Sequence, residues 1–252
     1  MKIKQFALVI SLLGGVLPAY ATTPIIMGYY QNSDQYHSYP MSGNAQHASN
    51  PDLDAKLTGI NTLTYAFFET LTAADASLAG ISPGSQAQYV GQVRFSDAWS
   101  DLNSDNANDT RFCGEYPYSC GIYTSQYTAW PTSAAGADGN FQAFVNSKVM
   151  NHVISIGGAG HDDSWAAAFA YPDNFVNSVV ALVNAYGITG LDLDFEPSSA
   201  ALQQNAEDFV NLVQLLHTDL PHVMLTWPVI PNANFIAALT QSQWQTLAQN
   251  LS

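Results

Sequence analysis

A short run of alternating acidic and apolar residues constrains the fold of this chain more than any other stretch. The acids Asp192, Asp194 and Glu196 stand two residues apart, with two leucines and a phenylalanine between and before them. Alternation with a period of two predicts a β-strand, in which the carboxylates share one face and the apolar side chains share the other. The apolar face needs a covering layer, and helices supply it most simply.

The three carboxylates repel one another if they lie together on a buried face. Like charges at such short range raise the pKa of at least one of the groups. A carboxyl group that stays protonated near neutral pH is what a general acid requires. A solvated acidic strand and a calcium site are the alternatives. The apolar residues between the acids disfavour the solvated strand, and calcium sites usually draw on loop oxygens with Gly and Asn interleaved.

This acidic run resembles the signature of family 18 glycoside hydrolases, the chitinase family. In that family the pattern is Asp-x-x-Asp-x-Asp-x-Glu at the end of a strand. Asp192, Asp194 and Glu196 match its last three acids, and a glycine precedes them. Thr189 stands at the position of the first Asp, so this chain departs from the family pattern there.

A second motif of the same family, Ser-x-Gly-Gly, lies upstream of the acids. It comprises Ser155, Gly157 and Gly158 at the end of an apolar run that predicts a strand over residues 152–158. Glycines at a strand end let another group approach the backbone closely. The family often places Trp after the second glycine, and this chain has Ala159 instead.

The remaining sequence alternates predicted strands with predicted helices. Besides the acidic strand, runs of β-forming residues predict strands at residues 25–30, 60–68, 152–158 and 222–230. Helical spacing or capping residues predict helices at residues 51–57, 141–151, 172–186, 199–217 and 243–251. This order gives parallel βαβ units, which on repetition close into an α/β fold of the (β/α)8 TIM-barrel type.

About five of the eight units of such a barrel are predicted within the chain. The resemblance implies a sixth strand with a Met-x-Tyr-Asp segment and an eighth strand with a Trp that floors the sugar pocket. Neither has a counterpart in this sequence. We therefore expect residues 22–252 to form an incomplete catalytic domain of family 18, whose open sheet edge would make it marginally stable.

Residues 69–140 are predicted to be a long insertion after the second strand, because they exceed the length of an ordinary connection. Its aromatic residues either line a site at the C-terminal face of the barrel or pack among themselves, and the sequence favours neither. Cys113 and Cys120 lie within it, separated by six residues. In an exported protein such a pair predicts a local disulfide. A metal pair is the alternative, and it lacks the usual ligand spacing.

Residues 1–21 have the features of a secretory signal peptide. Lys2 and Lys4 precede an apolar stretch, and Ala19 and Ala21 form a small-residue cleavage site. A membrane anchor is the alternative, and the apolar stretch is too short to span a bilayer comfortably. We therefore expect a protein that is extracellular or periplasmic after cleavage.

The formal net charge of −14 disfavours nucleic acid and anionic membranes as partners. It suits a neutral substrate. The family resemblance implies a partner of this kind, a polysaccharide or oligosaccharide that contains N-acetylglucosamine. It implies no metal ion and no organic cofactor, and it leaves the oligomeric state open.

The resemblance also implies a reaction, retaining hydrolysis of β-1,4-linked N-acetylglucosamine polymers with assistance from the substrate. Glu196 would protonate the glycosidic oxygen and then act as a base toward water. Asp194 would hold the acetamide whose carbonyl oxygen attacks the anomeric carbon, and Asp192 would share the proton of Asp194 from behind. A non-catalytic carbohydrate-binding barrel and an inactive fragment are the rival interpretations, and the presence of Glu196 disfavours the first.

The substrate-binding residues expected from the resemblance are drawn from several predicted strands. Tyr29 and Ser155 would lie near the acid pair. The remaining members of the predicted set are Phe67, Gly157, Gly158 and Trp227.

Overall fold

The computed structural model describes residues 25–31, 57–78, 80–96, 140–197, 202–228 and 233–252. Within these ranges strands and helices alternate along the chain. The strands are β1 (Met27–Gln31), β2 (Thr62–Thr70), β3 (Val93–Phe95), β4 (Asn151–Gly157), β5 (Gly190–Asp194) and β6 (Met224–Thr226). The helices are α1 (Ala73–Leu78), α2 (Asn140–Val145), α3 (Asp162–Ala170), α4 (Pro172–Tyr186), α5 (Leu202–Asp219), α6 (Ala233–Ala238) and α7 (Gln241–Asn250), with a 3₁₀ helix at Pro83–Gln88.

The described strands form one sheet in the order β1-β2-β4-β5-β6, and all neighbours in that order are parallel. β3 is the exception, because it pairs antiparallel with the last residues of β2. Helices lie in the described connections from β2 to β4, from β4 to β5 and from β5 to β6, and the sheet does not close on itself within the described ranges. This architecture confirms the predicted incomplete (β/α)8 barrel.

One face of the sheet is buried against the helices. Leu191 and Leu193 of β5 are fully buried there, and so is Ile154 of β4. Burial of each such side chain contributes about 1.5–3 kcal/mol to folding. The cluster that they join includes helix residues from α4 and α5, namely Phe175, Val179, Leu182, Phe209, Leu212 and Val213. The prediction of an apolar strand face covered by helices is therefore confirmed.

The segment predicted as an insertion contains secondary structure in its described part. α1, the 3₁₀ helix and β3 all lie between residues 71 and 96. A small separate core explains them, since Leu71, Ala76 and Val90 are buried against Ala167 of α3. The rest of the insertion, including Cys113 and Cys120, lies outside the described residues. So do the predicted signal peptide and most of the helix predicted at residues 51–57.

Outside the insertion, two helices were not predicted from the sequence. α3 begins at Asp162, in a stretch for which the sequence predicted neither a strand nor a helix. Two acids in its first turn, Asp162 and Asp163, suit the positive end of a helix dipole. α6 is the other, and it precedes α7, which begins with a capping box between Thr240 and Gln243.

No helix in the described ranges is both long enough and apolar enough to cross a bilayer.

The turn after β4 approaches the end of β5 very closely. Gly157 has a φ of +108°, and a Cβ atom on it would lie 2.5 Å from both the Asp194 carbonyl oxygen and the Trp165 indole nitrogen. The next residue, Gly158, donates its N–H to the same Asp194 carbonyl at 2.8 Å. The predicted close approach to the Ser-x-Gly-Gly motif is therefore present, and the group that approaches is the backbone of β5.

We predict that Gly157→Ala destabilises the protein by about 3 kcal/mol, since it adds a collision with backbone to the strain of a positive φ. Gly160→Ala is the matched control, because Gly160 also has a positive φ (+84°) but a Cβ atom added there would meet nothing within 4 Å. It should lose only roughly 1 kcal/mol. Urea unfolding of both variants measures the two losses, and equal losses would contradict the close approach at Gly157.

Candidate active site

The three acids lie at the carboxyl end of β5. The strand ends at Asp194, so Glu196 lies just beyond it rather than within it as predicted. The alternation nevertheless continues, because Phe195 is buried and stacks on Phe209 with ring centroids 5.1 Å apart. Asp192 is 3% exposed, whereas Asp194 and Glu196 are half-buried. The three acids, Asp192, Asp194 and Glu196, are called the acid row below. The row runs from the interior of the sheet toward solvent, which excludes a fully solvated acidic strand.

Asp192 is surrounded by hydroxyl groups. Ser155 of β4 donates to its Oδ2 at 2.9 Å, and the Tyr29 hydroxyl of β1 donates to the same oxygen at 3.3 Å. Thr226 of β6 donates to its Oδ1 at 2.8 Å. Three donors suit the charged, acceptor-only form of a carboxylate, and they occupy positions that a bound cation would need. Within the described ranges no group of His, Cys, Asp or Glu side chains is arranged to hold a metal ion.

The contact between Tyr29 and Asp192 shows that this face of the sheet is concave. β1 and β5 are separated by β2 and β4, which puts them roughly 14 Å apart in a flat sheet at the usual strand spacing. A tyrosine side chain cannot cover that distance and still meet the carboxylate. The sheet must therefore curl around the face that carries Asp192, as part of a barrel does.

Asp194 carries the raised pKa that the sequence predicts for one member of the row. Burial raises the pKa of Asp194 to about 7, with further contributions from the negative charges of Glu196 and Asp192 and from a side-chain hydrogen bond with Glu196. Asp194 therefore keeps its proton through the mildly acidic range. Because Asp194 and Glu196 share a hydrogen bond, that proton is held next to the carboxyl group predicted to be the general acid.

Tyr29 combines an exposed ring with a tethered hydroxyl. The residue is 55% exposed, yet its hydroxyl reaches Asp192. Partial burial raises the pKa of Tyr29 to about 12, and the charges of Asp192 and Asp194 and the hydrogen bond to Asp192 act in the same direction. The phenol is therefore a donor at any pH near neutrality, and its ring offers a flat surface to the open side of the site.

Phe67 and the two glycines lie together beside the acids. A Cβ on Gly158 would lie 3.6 Å from the Phe67 ring, and Gly158 itself is tied to the Asp194 carbonyl. Phe67 occupies a register shift in the pairing of β2 with β4, and the peptide bond before it is cis. The structure thus brings Tyr29, Phe67, Ser155 and the glycine pair to the same end of the sheet as the acid row.

Trp227, a member of the predicted substrate-binding set, does not lie beside the acids in the structure. It is 9% exposed and packs among helix residues, with ring contacts to Phe209, Phe235 and Trp244. Neighbouring residues of a strand point to opposite faces, so a displacement of one residue changes the face. Thr226 faces Asp192 instead. It was not predicted as a site residue, although it alternates along β6 with buried apolar residues.

Thr189 explains how the chain accommodates its departure from the family motif. Its hydroxyl accepts the His152 N–H at 2.8 Å and donates to the His152 carbonyl at 3.1 Å. These bonds join the start of β5 to the start of β4. The position therefore fastens two strands together and does not contact the acid pair in this structure.

An ion-pair cluster next to the acid row was also not predicted from the sequence. We define it as Glu69, Asp75, Arg94 and His161. Arg94 contacts Glu69 at 2.6 Å and Asp75 at 3.2 Å, and His161 Nδ1 lies 3.5 Å from Glu69 Oε2. The chain has six lysines and arginines in all, so an arginine inside a strand-like run was the available signal. Burial raises the pKa of Glu69 in spite of the opposing charge of Arg94.

Comparison with known proteins identifies relatives of one kind. A family model described as glycosyl hydrolases family 18 matches residues 25–252. Exochitinase 1 of Streptomyces olivaceoviridis is 36% identical over 93 residues, which cover 32% of this chain and 15% of that protein. A family 18 chitinase from Pseudoalteromonas aurantia superposes with a TM-score of 0.50 and 14% identity. The match covers 90% of this chain and 65% of the chitinase chain.

A family 18 chitinase from Cycas revoluta, solved in complex with (GlcNAc)3, has a TM-score of 0.45 and 21% identity, and the match covers 90% of this chain and 52% of that one. The chain therefore spans less than two thirds of the length of each of these relatives.

We predict that Asp194→Asn makes the protein progressively more stable than the wild type as pH rises from about 4 to above 7. The pKa of Asp194 is raised in the folded state, so the folded protein holds a proton there that the unfolded chain releases, and the wild type loses stability through this window. Thermal melts of the two proteins at several pH values measure the difference. Asp219→Asn, at the exposed end of α5, is the control, and a pH-independent difference for Asp194→Asn would contradict the raised pKa.

Proposed function

Because the chain belongs to glycosyl hydrolase family 18, we propose that it hydrolyses glycosidic bonds in β-1,4-linked N-acetylglucosamine polymers, chitin or a related glycan. The observation that carries the proposal is the hydrogen-bonded pair of Asp194 and Glu196 at the carboxyl end of β5. Active sites of barrels of this type lie at that end of the strands. The pair holds one proton near neutral pH, as a general acid must.

The order of the acids matches the proposed reaction. Glu196, the outermost, protonates the glycosidic oxygen as the bond to the anomeric carbon breaks. The substrate's own acetamide oxygen attacks that carbon and forms an oxazolinium ion, while Asp194 holds the acetamide. Glu196, now a carboxylate, takes a proton from the water that opens the ring and restores the sugar. Asp192, fixed by three hydroxyls, lies behind Asp194 and shares its proton as the intermediate forms.

The surface around the acids suits an uncharged sugar. Hydroxyl groups of Tyr29, Ser155 and Thr226 line the concave face, and their hydrogens point toward Asp192. The exposed ring of Tyr29 and the half-buried ring of Phe67 offer flat apolar surfaces of the kind on which sugar rings stack. We further propose that the protein acts outside the cytoplasm, since residues 1–21 have the charge and apolar pattern of a secretory signal.

We predict that Glu196→Gln lowers turnover on chito-oligosaccharides by on the order of 10²-fold or more, because the amide has nearly the same shape but cannot deliver a proton. Release of reducing ends by the purified chain is the measurement. Glu207→Gln, on the exposed side of α5, removes the same charge away from the site and should leave turnover unchanged. Near-full activity of the Glu196 variant would contradict the assignment of Glu196 as the general acid.

We also expect the N-acetyl group of the substrate to be required. Fully deacetylated oligomers lack the carbonyl oxygen that attacks the anomeric carbon, so they should be cleaved very poorly under conditions in which acetylated oligomers are cleaved. The measurement compares rates on matched oligomers of equal length. Comparable rates on both would exclude assistance by the substrate and would leave an ordinary two-carboxylate mechanism.

A further inference from the structure

His161 belongs to neither the acid row nor the helix-covered core, yet it lies between charged groups from three strands. Its Nδ1 is 3.5 Å from Glu69 Oε2 at the end of β2, and Arg94 of β3 and Glu196 after β5 both act on it electrostatically. Its side chain is 30% exposed. The proposed reaction gives His161 no step, and its position among these charged groups therefore needs a separate explanation.

The far side of His161 is anchored by the ion-pair cluster. Arg94 is 7% exposed and bound to both Glu69 and Asp75, so one buried cation faces two carboxylates. Asp75 is fixed in turn, because it accepts hydrogen bonds from the N–H and the hydroxyl of Thr72 at 3.0 and 2.6 Å. The surplus of negative charge in this cluster favours a hydrogen-bond donor beside Glu69, and the imidazole occupies that place.

The near side of His161 leads to the acid row through the backbone. The turn from Gly158 to His161 is tied to β5 by the bond from Gly158 N–H to the Asp194 carbonyl. The N–H of His161 donates back to the Gly158 carbonyl at 3.4 Å, and the His161 carbonyl accepts the Trp165 N–H at 3.0 Å. Trp165 is buried against Phe195, with ring centroids 5.2 Å apart. His161 therefore stands at one end of a short rigid path whose other end is Asp194.

The charges around His161 indicate a neutral imidazole at neutral pH. Burial lowers the pKa of His161, the nearby Arg94 lowers it further, and only Glu196 raises it. Glu69 faces the ring from β2, and two acids, Asp162 and Asp163, follow it on α3. A neutral ring whose Nδ1 lies 3.5 Å from Glu69 Oε2 joins the two segments without adding a cation beside the general acid. A cation at this position would favour loss of the proton from Glu196.

We propose that His161 is a positioning residue for the acid row, which it holds in register by joining the turn after β4 to Glu69 of the ion-pair cluster. This inference rests on the proposed function and deepens it. It assigns His161 no contact with substrate. Its effect is transmitted through the Gly158–Asp194 bond, so loss of the contact to Glu69 should loosen the hydrogen bond between Asp194 and Glu196.

The test compares His161→Ala, which removes the imidazole and its contact with Glu69, with His161→Asn, whose amide nitrogen takes the place of Nδ1 but does not titrate. His222→Asn is the matched control, since His222 is exposed in the turn before β6, at the opposite end of the sheet. Two measurements are made on the whole chain. The first is the titration of Asp194 by ¹³C NMR of its carboxyl carbon, which needs no turnover, and the second is kcat and KM on a chito-oligosaccharide.

We expect His161→Ala to lower the titration midpoint of Asp194 by about half a pH unit, because the proximity of Glu196 is one of the causes that raise it. We expect the same variant to lower kcat about tenfold with KM changed less than about threefold, as for a misplaced catalytic group. His161→Asn should restore both quantities to near the wild-type values, and His222→Asn should change neither.

An unchanged Asp194 titration in His161→Ala would overturn the proposal, and so would an Asn variant that behaves like the Ala variant. Circular dichroism melts of the Ala and Asn variants establish that both are folded before the comparison is made. If the wild type fails to cleave any oligomer, the proposed function fails, and the NMR comparison still decides whether His161 holds the acid row.

Discussion

The repulsion among three carboxylates on one face of a buried strand is the constraint that the rest of this structure accommodates. A carboxyl group that is 3% exposed needs hydrogen-bond partners to offset its burial, and Asp192 has three donors around it. Those donors come from β1, β4 and β6, so the sheet must present all three strands to one point. Curvature of the sheet, hydroxyl residues at its centre and a proton shared farther out follow from that one requirement.

The opposite face of the same strand supplies rigidity. Phe195 is buried among aromatic rings from α3, α5 and α6, and Trp227 donates from its indole nitrogen to the Phe195 carbonyl at 3.4 Å. The backbone that carries Asp194 and Glu196 is thereby fixed from behind. Trp227 thus acts on the site from the helix side of the sheet, as part of its support, rather than from the side on which a substrate would bind.

Short-range patterns in the sequence predicted those parts of the fold that are determined by neighbouring residues. The alternation around Asp192 predicted β5 and its buried face, and the glycine pair predicted a close approach that the Asp194 carbonyl makes. The position of Trp227 could not be derived in this way, because neighbouring residues of a strand point to opposite faces and the family resemblance alone did not say which face Trp227 takes. The cluster at Arg94 could not be predicted, since the antiparallel pairing of β3 with β2 brings together residues distant in sequence, and no local periodicity encodes that pairing.

The convergence of hydroxyls on Asp192 also has a consequence for how the chain assembles. Tyr29 lies 163 residues from Asp192 in sequence, whereas Ser155 and Thr226 lie 37 and 34 residues away. The entropy of closing the intervening loop opposes a contact of such long range more than it opposes the two shorter ones. The β4–β5–β6 segment therefore supplies two donors across short loops, and β1 completes the hydrogen bonding of the buried carboxylate. The hydrogen bonding of Asp192 thus depends on complete assembly of the described sheet, because a sheet without β1 lacks the Tyr29 donor.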